Sequence, residues 1–385
     1  MMPEFHETDF DDSTHLKLAV FRGYIKEWLP TFLTDYQGKS NFPEIWIFDF
    51  FSGPGTDSSG NLGTPLIIIE EIQRYFETRQ NLMDQKISIN LVFNDIRQGN
   101  IVELKKRVAE KTIMGSLNIQ FYYHSTSFQD LLPEYISTIA SPSCPCLIIL
   151  DQFGVKEVNR EVFQKLVNAS RTDIMFFVSS SIIKRFSNYP FIKELIPLPV
   201  DIENVEWNEI HRVVCEGFRN LAKKEKEYYV APFSIKKGAN IWGIIFGSSH
   251  PFGLEKFLKV AWKIDPNTGE ANFSIDKDPE WGTNQQMLFV EMNVTRKEDV
   301  FRDELIGFLH EKMRSSDEIY IFALEKGFPP EKVNSVLKSI HNSLCFDTAA
   351  KIQRGKYRIG WNHYKNREKP GHVPVYIQIK ELPNG

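Results

Sequence analysis

The stretch Ile45-Trp46-Ile47-Phe48-Asp49-Phe50-Phe51-Ser52-Gly53-Pro54-Gly55 is apolar from Ile45 to Phe51 apart from one acid, then turns on two glycines. A continuous apolar run of this kind suits a strand buried on both faces of a parallel sheet. Ser52-Gly53-Pro54-Gly55 reads as the turn that ends it. Upstream, Leu16, Val20, Tyr24 and Trp28 repeat at helical spacing, with Thr14 as N-cap, so 14–35 reads as a helix. Downstream the pattern alternates. Helices are expected over 64–80, 97–111, 128–140 and 159–169, and strands over 87–94, 118–124, 146–151 and 173–180. Strand–helix alternation repeated in this way is the signature of an open α/β sheet. Residues 185–235 hold Pro190, Pro197 and Pro199 and a helix near 206–226; a further strand over 241–247 and a helix over 253–262 follow.

A chain of 385 residues suggests two or three domains. Hydrophobic residues at 42% and charged residues at 25% are ordinary for a globular protein and argue against wholesale disorder. The net charge of −4 means that the chain as a whole is no polycation. The four cysteines form no CxxC pair, which speaks against a zinc ribbon and for a reducing compartment. No metal-ligand spacing appears among the histidines. The start is acidic, no apolar run is long enough to span a bilayer, and a cytoplasmic location is expected.

From Lys297 the texture changes. An amphipathic helix over 298–313, a cap signal at Ser315-Ser316-Asp317 before a short helix, a helix opening at Pro330 through 341, and strands over 344–348 and 356–359 have the shape of a winged helix-turn-helix. The expected organisation is an acidic tail over 1–12, a Rossmann-like α/β domain over 13–270, a linker or lid over 271–296, and a winged helix over 297–385.

In open α/β sheets, ligands bind at the carboxyl ends of the strands, beside the switch in strand order. Three motifs are expected there. Gly53 and Gly55 allow close backbone approach to a ligand, or form an ordinary turn. Asp95, ending the second strand, suits a ribose with vicinal hydroxyls, or caps the next helix. Asp151-Gln152-Phe153-Gly154 after the fourth strand combines an acid, an amide and an aromatic, a set that can hold an exocyclic amine and stack on its ring. The same tetrapeptide also reads as a capped turn with a core Phe. The Gly55-to-Asp95 spacing is about twice that of a compact dinucleotide fingerprint, which weakens a nicotinamide or flavin reading.

Together these motifs resemble those of class I S-adenosylmethionine-dependent methyltransferases. More narrowly, Thr14-His15-Leu16-Lys17, Phe48-Asp49-Phe50-Phe51-Ser52-Gly53-Pro54-Gly55, Gly63-Thr64-Pro65, Phe93-Asn94-Asp95, Asp151-Gln152-Phe153-Gly154, Phe246 to Gly253 and Trp262-Lys263-Ile264-Asp265-Pro266 resemble the three-Cys-motif partner (TcmP) proteins of bacteria and phages. The resemblance implies S-adenosylmethionine as cofactor. Gly53 and Gly55 would line its methionine part and Asp49 would sit beneath it, near its amino group; Phe51, Ser52 and Thr64 are further cofactor-binding candidates. Asp95 would take the ribose, and Ser127 and Phe128 would flank the adenine. Asp151, Gln152 and Phe153 would face the substrate, where Asp151 and Gln152 would accept hydrogen bonds from an amine and free its lone pair. It also implies a partner protein with clustered cysteines. The family usually has Pro where this chain has Gln152, and that departure supports an alternative in which the chain is a non-catalytic adaptor. A weaker alternative is a nuclease using Asp49, Asp95 and Asp151 around a divalent metal.

Residues 351–373 hold seven Lys or Arg against one acid, Glu368, with Tyr357, Trp361 and Tyr364 interleaved. Such a stretch suits phosphate contact to DNA or RNA, or is a solvated face over a small core. The nucleic-acid candidates are Lys332 and Lys338 on the last helix, and Lys351, Arg354, Lys356 and Arg358 beyond it.

Overall fold

A computed structural model describes residues 8–33, 42–78, 87–111, 117–152, 156–199, 202–237, 240–269, 297–347 and 352–380. Phe153, Lys351 and the segment 271–296 lie outside the described residues. The chain divides into two compact units, Met1–Lys256 and Phe257–Gly385.

The first unit opens with helix α1 (Asp12–Leu33). Its buried positions, including Lys17, Val20, Phe21, Tyr24 and Trp28, follow the helical period and form one stripe. The alternating strands and helices follow: β1 (Glu44–Asp49), α2 (Thr64–Glu77), β2 (Ser88–Asn94), α3 (Gln98–Glu110), β3 (Ile119–His124), α4 (Phe128–Ala140), β4 (Cys146–Leu150), α5 (Arg160–Val167) and β5 (Thr172–Val178). Two short helices, α6 (Ser180–Arg185) and α7 (Pro190–Leu195), lead to α8 (Ile210–Glu225), and β6 (Tyr229–Lys237) and β7 (Asn240–Ser248) complete the sheet. The division between the units falls within α9 (Pro251–Ile264).

The seven strands lie in the order β3-β2-β1-β4-β5-β7-β6. β1 to β5 are parallel, and β7 runs antiparallel to both β5 and β6. This is the Rossmann-like sheet expected of a class I methyltransferase. Right-handed crossovers put α2 and α3 on one face and α4 and α5 on the other. The strand order reverses between β1 and β4, so a ligand crevice is expected outside their carboxyl ends.

β6 is absent from the sequence reading. Pro232 lies inside it, and a proline argues against a central strand. The topology resolves this, because β6 is the edge strand, where a missing N–H is tolerated.

The second unit carries the end of α9, then α10 (Lys297–Glu311), β8 (Arg314–Ser315), α11 (Ser316–Glu325), α12 (Pro330–Ser339), β9 (Leu344–Asp347), the short α13 (Trp361–Tyr364) and β10 (Tyr376–Ile379). Ser315 and Glu318 form a reciprocal capping box at the start of α11, as the cap signal predicts. Phe301 stacks on Phe328 at 4.0 Å, and Trp262 packs against Phe328 at 5.1 Å. The sheet order is β8-β10-β9, all antiparallel. The strand expected over 356–359 is corrected: among the described residues it has no ladder partner, and β9 pairs with β10. Tyr357 and Ile359 are buried in alternation, which mimics a strand, but Arg358 between them sits at φ 58°, outside extended backbone.

Candidate functional site

The tips of β1, β2 and β3 are joined by one buried amide. Asn94 Nδ2 donates to the Phe50 and Thr126 carbonyls, at 3.1 Å each, and its Oδ1 accepts from Thr126 N at 3.2 Å. Ser52 N donates to the Asn94 carbonyl at 2.8 Å. An amide so fully paired inside a sheet edge fixes the geometry of the loops that leave it.

The glycine turn is held from several sides. Gly53 and Gly55 adopt φ of 58° and 93°, the left-handed region that favours glycine. A Cβ on Gly55 would lie 2.8 Å from Leu104 Cδ1. Gly63 N donates to the Gly55 carbonyl at 2.7 Å, and Arg107 Nη1 to the Pro54 carbonyl at 2.5 Å. Asp57 accepts from Phe10 N at 2.7 Å and Asn61 N at 2.8 Å, which pins the segment before α1 to the loop.

Asp95 faces this turn. One of its oxygens accepts from Gly53 N at 3.1 Å and the other from Arg97 N at 2.8 Å. The carboxylate is half-buried and keeps further acceptor capacity, since two oxygens offer about four lone-pair sites. The capping and ligand readings of Asp95 are therefore compatible.

Asp49 ends β1 and is fully buried. Its Oδ1 accepts from Phe51 N at 3.2 Å, while its Oδ2 has no hydrogen-bond partner among the described residues. Burial pushes its carboxyl well above the usual carboxylate range; the Phe51 N–H opposes the rise, and Asp151 and Asp95 add to it. Ser179, just past β5, also has a buried hydroxyl with no partner among the described residues.

Asp151, just past β4, is held by Lys17 of α1. The Lys17 ammonium donates to both carboxylate oxygens, at 2.8 and 2.6 Å, and lies 4.9 Å from the centre of the Phe177 ring. Lys17 is 5% exposed. Sequence reasoning placed Lys17 only within a motif; the available signal was a cation on the buried stripe of α1, three residues before Val20 and seven before Tyr24.

The Gln152 side chain, expected at the substrate, is 2% exposed and hydrogen-bonded to backbone. Nε2 donates to the Phe177 carbonyl at 3.2 Å, and Oε1 accepts from Glu157 N and Val158 N at 3.0 Å each. It ties the end of β4 to β5 and to the turn before α5.

Ser127 caps α4: its Oγ accepts from Asp130 N at 3.1 Å and donates to Asp130 Oδ2 at 2.6 Å. Phe128 is buried against Phe50 and Phe51, at ring distances of 5.2 and 5.5 Å, so it forms the wall beneath Phe51. Thr64 is buried at the first position of α2. Cys146, at the opposite end of β4 from Asp151, is buried, and burial pushes its thiol far up, as suits an inert core cysteine.

Among the described residues, no group of three or more His, Cys, Asp or Glu is placed to hold a metal ion.

In the C-terminal unit, Lys332 is engaged internally: it pairs with Glu298, and its ammonium lies 4.3 Å from the centre of the Trp262 ring. Lys338, Lys356, Arg354 and Arg358 are exposed, and Arg354 Nε donates to the Lys338 carbonyl at 2.9 Å. No described helix is long and apolar enough to cross a membrane.

No family model matches the sequence, and no curated protein matches it. Solved structures of similar fold include Trm1 from Pyrococcus horikoshii, in complex with S-adenosyl-L-methionine, at 13% identity and a TM-score of 0.37, covering 70% of this chain and 65% of that one. TYW2 from P. horikoshii, in complex with MeSAdo, follows at 13% identity and a TM-score of 0.30, covering 64% and 65%. The O-methyltransferase TomG from Streptomyces achromogenes, in complex with SAM, has 11% identity and a TM-score of 0.29, covering 62% and 90%. The chain thus spans less than two thirds of the length of the first two.

Proposed function

We propose that the chain is an S-adenosylmethionine-dependent methyltransferase acting on nucleic acid, of the three-Cys-motif partner type, with amine methylation as its chemistry. The observation that carries this reading is the switch point of the sheet. There Asp49, with its unpartnered Oδ2, the left-handed turn at Gly53 and Gly55, and Asp95 with spare acceptor capacity occupy adjacent strand tips. A buried carboxyl without a partner is costly when ionised, and an incoming ammonium group relieves that cost. The α-amino group of S-adenosylmethionine is such a cation, and its ribose supplies the hydroxyls that suit Asp95, so the residues present fit the cofactor.

When bound, the cofactor supplies a methyl sulfonium that is already electrophilic. The protein's tasks are then to position and to accept hydrogen bonds. Asp49 holds the ammonium, the glycine turn lets the backbone approach, and Asp95 orients the ribose. Asp151 is the acceptor for a substrate amine and draws its hydrogens into plane-breaking hydrogen bonds, so that the lone pair is free for attack. Lys17 and the substrate amine compete for Asp151.

That same ion pair favours a second reading, a non-catalytic adaptor in which Lys17 permanently occupies Asp151. The winged-helix reading of the C-terminal unit rests on the order α10-β8-α11-α12-β9-β10 and on the exposed cations after β9.

The test is transfer of labelled methyl from S-adenosylmethionine to DNA and RNA by the full chain. Incorporation that is lost in Asp151→Ala supports the enzyme. Cofactor binding without incorporation into either nucleic acid supports the adaptor.

A further inference from the structure

The C-terminal unit contains a pocket of about 340 Å³ whose lining includes no acid. Ser316, Arg358, His363, Asn366, Lys369 and His372 are among the residues that line it. Its construction is specific. Arg358 stands at φ 58° between the buried Tyr357 and Ile359, and its Nη1 donates to the carbonyl of Val373, another lining residue, at 3.3 Å. Two glycines at positive φ, Gly360 and Gly371, bracket the segment that carries the remaining donors.

The charges around the pocket do not cancel. Asp317 of α11 is engaged by His372 Nε2 at 3.0 Å, and Glu368 pairs with Arg367 at 3.2 Å. Arg358 and Lys369 have no ion-pair partner among the described residues. Burial, then Arg358 and His372, pull the His363 imidazole below its ordinary value, against an opposing pull from Asp317. Cations that crowd one another around a concave space are relieved by an anion.

We propose that this pocket binds a phosphate monoester, carried at the end of a nucleic-acid strand or on a free nucleotide. A guanidinium, an ammonium, two imidazoles and an amide match the several acceptor oxygens of a phosphate, and the two unpaired cations match its dianion. The pocket has room beyond the phosphate for an attached sugar. A recess suits a terminal group, whereas an internal phosphodiester tracks an open surface. This deepens the nucleic-acid reading of the C-terminal unit and does not depend on methyl transfer.

The test compares 5′-phosphorylated, 3′-phosphorylated and unphosphorylated forms of one short oligonucleotide, as DNA and as RNA, with AMP and inorganic phosphate, all on the full chain. A phosphorylated strand is expected to bind about tenfold tighter or more than the unphosphorylated one. The difference should vanish in Lys369→Gln, at an exposed position, and in Arg358→Asn, a residue type that tolerates the left-handed backbone. Inorganic phosphate should raise the pH midpoint of the His363 C2–H resonance, reversing the effect of Arg358 and His372. AMP binding as tightly as the phosphorylated strand identifies the nucleotide as the source. If no strand binds but AMP does, the nucleic-acid reading fails and the pocket stands. If strands bind regardless of phosphorylation, and neither AMP nor inorganic phosphate moves His363, the pocket proposal is overturned.

Discussion

Replacing Lys17 with Met keeps the aliphatic stem that fills the stripe of α1 and removes the charge. Two charge-assisted hydrogen bonds, at 2.6 and 2.8 Å, disappear with it. Breaking a buried pair by removing one partner costs roughly 3–5 kcal/mol, because the other charge is left without compensation. Here the Asp151 side chain keeps 20% exposure, so water recovers part of the loss. The expected cost is about 3 kcal/mol, read as a lower urea midpoint at an unchanged slope. The double variant Lys17→Met/Asp151→Leu replaces the pair with apolar groups and should return to within about 1 kcal/mol of wild type. The cycle then yields a coupling of at least about 2 kcal/mol. A single-variant cost under about 0.5 kcal/mol, or costs that simply add, would refute the reasoning that Asp151 is clamped by a desolvated ammonium.

Three further outcomes follow from the same structure. Gln152→Ala should cost about 2–3 kcal/mol in urea unfolding, since it strands two backbone N–H groups and one carbonyl; a stability unchanged from wild type would return Gln152 to the substrate. Gly55→Val should combine a left-handed backbone with a 2.8 Å clash on Leu104, lower the thermal midpoint by several degrees and abolish binding of S-adenosylhomocysteine; a variant that keeps both would show that the turn is not the cradle. The third concerns pH. Burial pushes buried Asp173, which accepts from Tyr24 Oη at 2.7 Å, up to about 6, and pulls buried His211, bonded to Ser180 at 2.8 Å, down to about 4. Between about pH 4 and 6 the native state holds the extra proton at Asp173, so that group loses stability as pH rises. The unfolded state holds the extra proton at His211, so that group loses stability as pH falls from about 6.5 to 4. Each amounts to about 3 kcal/mol, and they oppose one another in wild type. Asp173→Asn should therefore expose a steep loss of stability on acidification that wild type lacks; matching pH profiles for the two proteins would contradict the assignment.

The parallel half of the sheet was legible because both-face burial leaves continuous apolar runs, as in Ile45 to Phe51 and Cys146 to Leu150. β6 was hidden because its edge position permits Pro232. β10 was hidden because Tyr376 to Ile379 is short and follows a long basic stretch, while Tyr357 and Ile359 offered a false alternation nearby. At the site, the glycine turn and the strand-tip acids were legible as residue types at strand ends. The clamps were not. Lys17 reaches Asp151 across 134 positions, and Gln152 finds its partners in Glu157, Val158 and Phe177. Pairings of that kind arise from the closing of the sheet and leave no local pattern.

The central claim is that the tips of β1 and β2 form a cofactor cradle. Calorimetric titration of the full chain with S-adenosylhomocysteine tests it most directly. One site is expected, with an affinity on the order of micromolar, lost in Asp95→Ala and weakened in Asp49→Asn. No heat of binding at millimolar ligand, from a chain that far-UV circular dichroism shows to be folded, would contradict it.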